Sequence, residues 1–200
     1  MMSNLQKVAI ESRTVDAPVE DLLVGRWSPR AMSGESIDQA QLLRLLEAAR
    51  WAPSASNMQP WRFVYAHRET PAWESLFDLL NPGNQEWAHR AAVLVLVLSK
   101  TTSDRDGSHS VTHAFDAGAA WENLALQGTA QGLVVHGMGG FDRERARTAA
   151  SVPDDYAVLA MIAVGRPGDP EVLPERLRRR EVPSHRRPVR EFAFEGVFGG

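Results

Sequence analysis

The sequence predicts an α+β fold in which a mixed sheet is flanked by helices. Two observations support this prediction. The chain has 200 residues, of which 44% are hydrophobic and 24% charged, and this is enough for one domain with a sizeable core. Apolar runs of strand length alternate with helical patterns, but not in the strict βαβ order of a parallel sheet. Because no linker or internal repeat divides the chain, residues 1–200 are predicted to form a single domain.

The first half of the chain contains two predicted helices and two predicted strands. Ser36 and Gln39 predict a capping box at the start of the first helix. The apolar face of this helix carries Leu42, Leu45, Leu46 and Ala49. The strand "WRFVYA" and the helix "PAWESLFDLL" follow, with Pro71 in the first turn of that helix and "NPGN" predicted to end it. "AAVLVLVLS" is a continuous apolar run, as expected for a strand that is covered on both faces.

The second half is predicted to centre on a long helix from Val111 to Gln131, which Gly132 would end. Its apolar residues cover more than one stripe, so we expect it to be buried by its own sheet and by a second subunit. "LVVHGMG" and "YAVLAMIAVG" are predicted strands, separated by the helix "DRERARTAAS", which Asp142 would cap. Residues 1–25 and about 170–200 are predicted to be arms that reach across a dimer.

The composition excludes several classes of function. The chain has no cysteine, which excludes disulfides, thiolate metal sites and a cysteine nucleophile, and which favours a cytoplasmic location. A net charge of −3 provides no field for nucleic acid, so no nucleic-acid partner is predicted. The N-terminus lacks the apolar core of a secretory signal, and the most apolar run is too short to cross a bilayer, so no membrane association is predicted.

Two arginine-containing segments have the composition of an anion site. In "RWSPR", Arg26 and Arg30 bracket the hydroxyl of Ser28, a density of donors that suits a phosphate, although an ordinary charged turn has the same composition. In "SHRRPVREF", Arg186 and Arg187 are adjacent, within a tail that carries seven arginines and one glutamate between positions 176 and 190. A solvated basic tail is the alternative interpretation of that segment.

The loop in "RWAPSASNMQPWRF" has the composition of a ligand-binding segment. The preceding helix ends at Pro53, and small serine and alanine residues follow, which would let the backbone approach a ligand closely. Asn57 and Gln59 add amide donors and acceptors. The segment therefore predicts a loop that lies against a bound molecule.

These motifs occur together in the order "R-x-S-x-R", "APSASNMQPW", "GLVVHGMGGFD" and "RRPVREF", and in that order the chain resembles the flavin-dependent nitroreductase family of FMN-containing NAD(P)H oxidoreductases. The resemblance covers about Arg26 to Phe192. It implies a three-layer sandwich with a mostly antiparallel sheet, in an intertwined homodimer with FMN at the interface. It also implies ping-pong transfer of hydride from NAD(P)H through the flavin to a nitroaromatic, quinone or activated alkene.

The resemblance assigns roles to the basic segments. Arg26 and Ser28 would bind the FMN phosphate and ribityl chain, and Arg30 would lie near the N1–O2 edge of the flavin. Arg186 and Arg187 would clamp the phosphate. Trp27, also a candidate, stands where the family often has a second arginine or a histidine.

The resemblance also assigns roles to the polar loops. The candidates that would approach the flavin from the partner subunit are Pro53, Ser54, Ala55 and Asn57, with Gln59 close by. Asn84 matches a polar contact of the family, and Gly139 and Gly140 fall where a backbone N–H would meet flavin N5. No protein catalytic residue is predicted, because the flavin itself carries the chemistry. In many members of the family a long insertion after the strand that corresponds to "AAVLVLVLS" covers the substrate. This chain lacks that insertion, so the identity of the acceptor is left open.

Several alternatives stay open at the level of sequence. His109 and His113 are four residues apart and could face a metal, but capping residues are favoured and no metal site is predicted. "VVHGMGGFD" is too incomplete for a dinucleotide-binding glycine loop. His136 is expected to lie in the core or beside the flavin, and Trp61 and Trp121 are expected to pack. The protein could also bind FMN without turnover, as a carrier or redox-responsive module.

Overall fold

The computed structural model describes residues 2–199 and contains one four-stranded sheet in the order β1-β2-β4-β3. The strands are β1 (Trp61–His67), β2 (Val93–Lys100), β3 (Val134–Met138) and β4 (Tyr156–Gly165). The α-helices are α1 (Asn4–Ser12), α2 (Asp21–Gly25), α3 (Gln39–Arg50), α4 (Pro71–Phe77), α5 (Pro82–Ala88), α6 (His113–Ala130), α7 (Arg143–Ala149) and α8 (Glu175–Arg178). All three strand pairings are antiparallel, which confirms the predicted α+β fold and its mostly antiparallel sheet.

Strand β2 explains why the fold has three layers. Successive side chains of a strand point to opposite faces of a sheet. Leu94, Leu96 and Leu98 join a core with α4, α5 and α7, whereas the valines between them join a second core with α3 and α6. A strand buried on both faces must read as a continuous apolar run, and "VLVLVL" does.

Two boundaries differ from those predicted. The capping box lies two residues later than expected, at Asp38 and Gln41 rather than Ser36 and Gln39. The Gln41 N–H donates to Asp38 Oδ1 at 2.6 Å, and the Asp38 N–H donates to Gln41 Oε1 at 3.2 Å. Both residue pairs fit the sequence pattern of a capping box. The helix begins after Asp38 because Ile37, the residue before this N-cap, is buried in the core.

The second difference concerns "NPGN". Helix α4 ends at Phe77, and Asn81 then caps a further helix, α5, with Pro82 in its first turn. Proline and asparagine are typical of a helix start as well as of a turn, so the motif begins a helix instead of only ending one.

The terminal segments contain more structure than the sequence indicated. The N-terminal arm (residues 2–25) forms α1 and α2, which pack on each other, and the C-terminal arm (residues 170–199) forms α8 and two short 3-10 turns. Contact of these arms with a second subunit stays a prediction. Within residues 2–199, none of the helices combines the length and the apolar character needed to cross a bilayer.

Helix α6 is close to its predicted extent, and Gly132 follows it with a positive φ of 69°. Leu124 and Ala125 are fully buried against the sheet, whereas Phe115 is 81% exposed. Burial by the chain's own sheet is therefore confirmed for one face, and the opposite face is open in the single chain.

The capping correction gives a test of the fold. We expect Asp38→Ala to lower the free energy of unfolding by about 1 kcal/mol, because an N-cap substitution leaves a helix N–H without its acceptor. Ser36→Ala is the matched control, since Ser36 is exposed and lies outside the observed capping box. Denaturant unfolding of both variants measures the difference. A larger loss for Ser36→Ala would contradict the observed helix start.

Candidate functional site

A cavity of about 500 Å³ lies where both arms meet β3, and we call it the cationic cavity. Its lining residues are Arg13, Arg26, Trp27, Ser28, Arg30, His136, Arg179, Arg180, Val182, Ser184 and Arg186. Six of these residues are arginines, and none is acidic. So many guanidinium groups around one cavity repel each other unless an anion occupies it, and guanidinium geometry matches phosphate.

Four residues of the "RWSPR" segment form one wall of the cationic cavity. Arg26 Nη1 donates to Ser28 Oγ at 3.3 Å, and Arg26 Nε lies 3.4 Å from Glu122 Oε1 on α6. Trp27 points its indole N–H to the Leu5 carbonyl at 3.2 Å, so its polar end is held by α1.

Arg30 is positioned by a residue that the sequence analysis missed. Glu181 Oε1 accepts the backbone N–H groups of Arg30 and Ala31 at 2.6 and 2.7 Å, and Glu181 Oε2 is buried 4.0 Å from Arg30 Nη1. Burial lowers the pKa of Arg30, and the nearby carboxylate of Glu181 opposes that shift. Glu181 is the single acid among the arginines of the tail, which was the available signal.

Only one of the two arginines that were predicted to act as a pair lines the cationic cavity. Arg186 lines the cationic cavity, and its Nη1 donates to Ser184 Oγ at 2.9 Å. Arg187 does not line that cavity; it lines a groove of about 520 Å³ between residues 13–24 and 186–192, which Arg13 and Arg186 line as well. Pro188, which follows, is extended, with φ −55° and ψ 145°.

A second cavity, of about 520 Å³, adjoins the first because Arg26 and Ser28 line both. We call it the apolar cavity, and its other lining residues are Val97, Ala114, Ala117, Gly118, Trp121, Glu122, Gly137, Met138, Gly139, Leu159, Ala160 and Ile162. Both tryptophans pack as expected: Trp61 is buried in the core, and Trp121 packs against Gly137 beside this cavity. Cavities with apolar walls and few polar groups are typical of cofactor sites.

The two predicted glycines differ in their surroundings. A Cβ at Gly139 would meet nothing within 4 Å, so this backbone is open towards the apolar cavity. A Cβ at Gly140 would overlap Asn81 and lie 3.0 Å from Asn84 Nδ2, which itself donates to the Gly140 carbonyl at 2.9 Å. Asn84 therefore holds the loop that follows β3 and does not line either cavity.

The predicted loop residues lie outside both cavities. None of the lining residues comes from the loop, whose candidates are Pro53, Ser54, Ala55, Asn57 and Gln59. Its backbone is strained, because Ser56, Asn57 and Gln59 have φ values of 50°, 55° and 48°.

Buried Asp116, on α6, holds this loop in place. Its Oδ2 accepts the Ala55 N–H and the Thr112 hydroxyl, each at 3.2 Å. The sequence analysis did not assign this role to Asp116, which is one of two acids, with Glu122, in a mostly apolar helix pattern.

The two histidines of "HSVTH" lie side by side at the start of α6. His113 Nδ1 lies 3.2 Å from Ser99 Oγ, and the His109 and His113 rings meet edge to face at 6.0 Å. Between residues 2 and 199, no group of three or more His, Cys, Asp or Glu side chains is arranged to hold a metal ion.

His136 links β3 to the "RWSPR" segment. Its Nδ1–H donates to the Pro29 carbonyl at 2.9 Å, and its ring lies 4.5 Å from the Trp87 ring. Burial lowers the pKa of His136 to about 4; the bond to Pro29 acts in the opposite direction, and the charges of Arg30 and Arg26 lower it further. The ring is therefore neutral at pH 7, with the proton on Nδ1.

This neutral ring predicts a loss of stability in mild acid. The unfolded chain binds a proton at His136 below a pKa of about 6.5, whereas the folded chain does so only near pH 4. The free energy of unfolding should fall as the pH drops through this window, by about 1–3 kcal/mol from this group. In His136→Gln, which cannot titrate but can donate to Pro29, unfolding at pH 7 and pH 5 should show a smaller fall. Equal falls in both proteins would contradict the assignment.

Comparison with known proteins agrees with this geometry. The model of the nitroreductase family matches residues 23–166. A crystal structure described as an oxidoreductase containing FMN has 46% sequence identity and a TM-score of 0.90, covering 94% of this chain and 96% of that one. A 15.4 kDa protein of Mycolicibacterium smegmatis, named without a function, is 36% identical over 62% of this chain and 83% of its own length. An NADH dehydrogenase of Thermus thermophilus is 28% identical over 82% of this chain and 89% of its own length. The chain belongs to the nitroreductase family.

Proposed function

We propose that the protein is an FMN-dependent oxidoreductase that passes hydride from NAD(P)H, in ping-pong fashion, to a nitroaromatic, quinone or activated alkene. The observation that carries the proposal is the junction of the two cavities at Arg26 and Ser28. A cationic cavity that opens into an apolar one suits a molecule with a phosphate at one end and a flat ring at the other. The similar structure described as containing FMN supports the same cofactor here.

The residues present fit this cofactor. Arg26, Ser28, Arg30 and Arg186 would hold the phosphate and the ribityl chain. The open backbone of Gly139 would lie beside the ring. FMN supplies the hydride chemistry when it is bound. The chain itself contributes fixed positive charge at the phosphate, backbone donors at the ring and walls that exclude water.

We propose further that the site is completed by a second copy of the chain. Val111, just before α6, and Phe115, in its first turn, are 87% and 81% exposed, and such exposed apolar side chains beside a cavity favour a covered interface. The strained loop from Pro53 to Gln59 lines neither cavity of its own subunit. In a homodimer it would reach the cofactor of the partner, with Asp116 holding its shape.

A carrier or redox-responsive module that binds FMN without turnover is the second candidate. It is favoured by the same observation, since the two cavities would hold the cofactor in either case. The name of the Thermus thermophilus relative, NADH dehydrogenase, favours turnover. A cytoplasmic location stays a prediction from composition.

The arginine assignment predicts a selective loss of affinity for FMN. In Arg186→Ala we expect FMN binding to weaken roughly ten- to a hundredfold, because one charge-assisted hydrogen bond to the phosphate is lost. Riboflavin has no phosphate, so its affinity should change little. Titration of apoprotein by fluorescence quenching measures both. Arg176→Ala is the control, since Arg176 pairs with Glu86 away from the cavities. Unchanged FMN affinity in Arg186→Ala would sink the assignment of this arginine.

Reduction by nicotinamide nucleotides separates the enzyme from the carrier. We expect NADH or NADPH, mixed anaerobically with the FMN-loaded protein, to bleach the flavin absorbance near about 450 nm. Addition of a nitroaromatic or quinone should then restore it. Free FMN at the same concentration is the control for uncatalysed reduction. If neither nucleotide bleaches the bound flavin faster than free FMN, the carrier is the better description.

A further inference from the structure

Arg13 bonds to the backbone of two other segments, one 11–13 positions and the other 171 positions away in the sequence. It follows the last residue of α1, and its Nη1 donates to the Val24 carbonyl and, at 2.8 Å, to the Arg26 carbonyl. Its Nε donates to the Ser184 carbonyl at 3.1 Å, across 171 positions of sequence. One guanidinium therefore bonds to the backbone at the entry to "RWSPR" and to the backbone of the C-terminal arm.

The place of Arg13 is unfavourable without a ligand. It lines the cationic cavity beside Arg26 and Arg186, and burial together with these two charges lowers the pKa of Arg13. Its Nη2 is buried and has no hydrogen-bond partner among the described residues. A buried donor without a partner and a crowd of like charges both cost free energy, so something must offset them. An anion in the cavity would do so.

The hydrogen bonds of Arg13 affect the positions of two residues that would bind the phosphate, Arg26 and Arg186. The Arg26 carbonyl that it holds belongs to a residue of the cavity wall, and Ser184 lies two residues before Arg186. Ser184 also accepts a hydrogen bond from the Arg186 side chain through its hydroxyl. Loss of Arg13 would free the arm at Ser184, and Arg186 would lose its fixed place in the cavity.

We propose that Arg13 is a positioning residue that ties the C-terminal arm to the "RWSPR" segment, so that a phosphate site is built from both ends of the chain. The identity of the ligand as FMN rests on the proposed function. Lysine should not replace Arg13, because a single ammonium cannot bridge three carbonyls with the fixed fork of a guanidinium.

The experiment compares Arg13→Gln and Arg13→Lys with the wild type in two measurements. Titration of apoprotein gives the dissociation constants of FMN and riboflavin, and limited trypsin digestion of apoprotein, read by mass spectrometry, gives the rate of cleavage after Arg186. We expect both variants to weaken FMN roughly tenfold or more, to leave riboflavin within about twofold, and to speed the cleavage. Arg178→Gln is the matched control, because Arg178 lies on the same arm, pairs with Glu171 and lines neither cavity.

Three results would overturn the proposal. Wild-type behaviour of Arg13→Lys in both measurements would show that charge alone suffices. Equal losses of FMN and riboflavin, with a lowered melting temperature, would show a merely structural role. Unchanged cleavage in both variants would show that Arg13 does not hold the arm. A wild-type protein that binds no FMN would contradict the proposed function, and the digestion of apoprotein would still decide whether Arg13 is the tether.

Discussion

The rest of the site depends on the crowding of positive charge around one cavity. Arg13, Arg26, Arg30 and Arg186 come from three separate stretches of chain, and their mutual repulsion opposes the fold. The chain holds them in two ways: Arg13 and Arg186 donate to backbone carbonyls, and the carboxylates of Glu122 and Glu181 lie beside Arg26 and Arg30. Such a balance favours an anion in the cavity, because a bound phosphate turns the repulsion into attraction.

The layered core determines where this cavity can open. Strand β2 is buried on both faces, so α6 must cover one face of the sheet with its inner side. Its outer side, with Ala114, Gly118 and Trp121, then faces the apolar cavity. Small residues there leave room for a flat ring beside the glycines that follow β3. The same helix therefore completes the core and forms a wall of the site. A substitution on its outer side is expected to change the shape of the cavity more than the stability of the fold.

Sequence patterns predicted the fold well where one local signal decides the structure. The strand β4 follows from its own apolar run, and the helix capped by Asp142 follows from its own capping residue. The capping box was placed at Ser36 because two overlapping boxes fit the pattern, and only the burial of Ile37 separates them. Arg13 and Glu181 could not be found in this way. Their partners are backbone groups more than ten positions away. Nearly every residue carries the same backbone groups, so the sequence does not indicate which of them will accept or donate a hydrogen bond.

The strained loop shows how the remaining part of the site fits the family. Ser56, Asn57 and Gln59 have positive φ, which destabilises the folded chain by about 1 kcal/mol each. None of the three lines either cavity of the same chain. Asp116 fixes the loop from inside the core, which keeps its shape constant whatever lies outside. The loop lines neither cavity of its own chain, and we propose that it contributes to the site of a second subunit instead. The exposed Phe115 lies next to Asp116 on the same helix, so one short segment would both pack against the partner and position the loop that the partner needs.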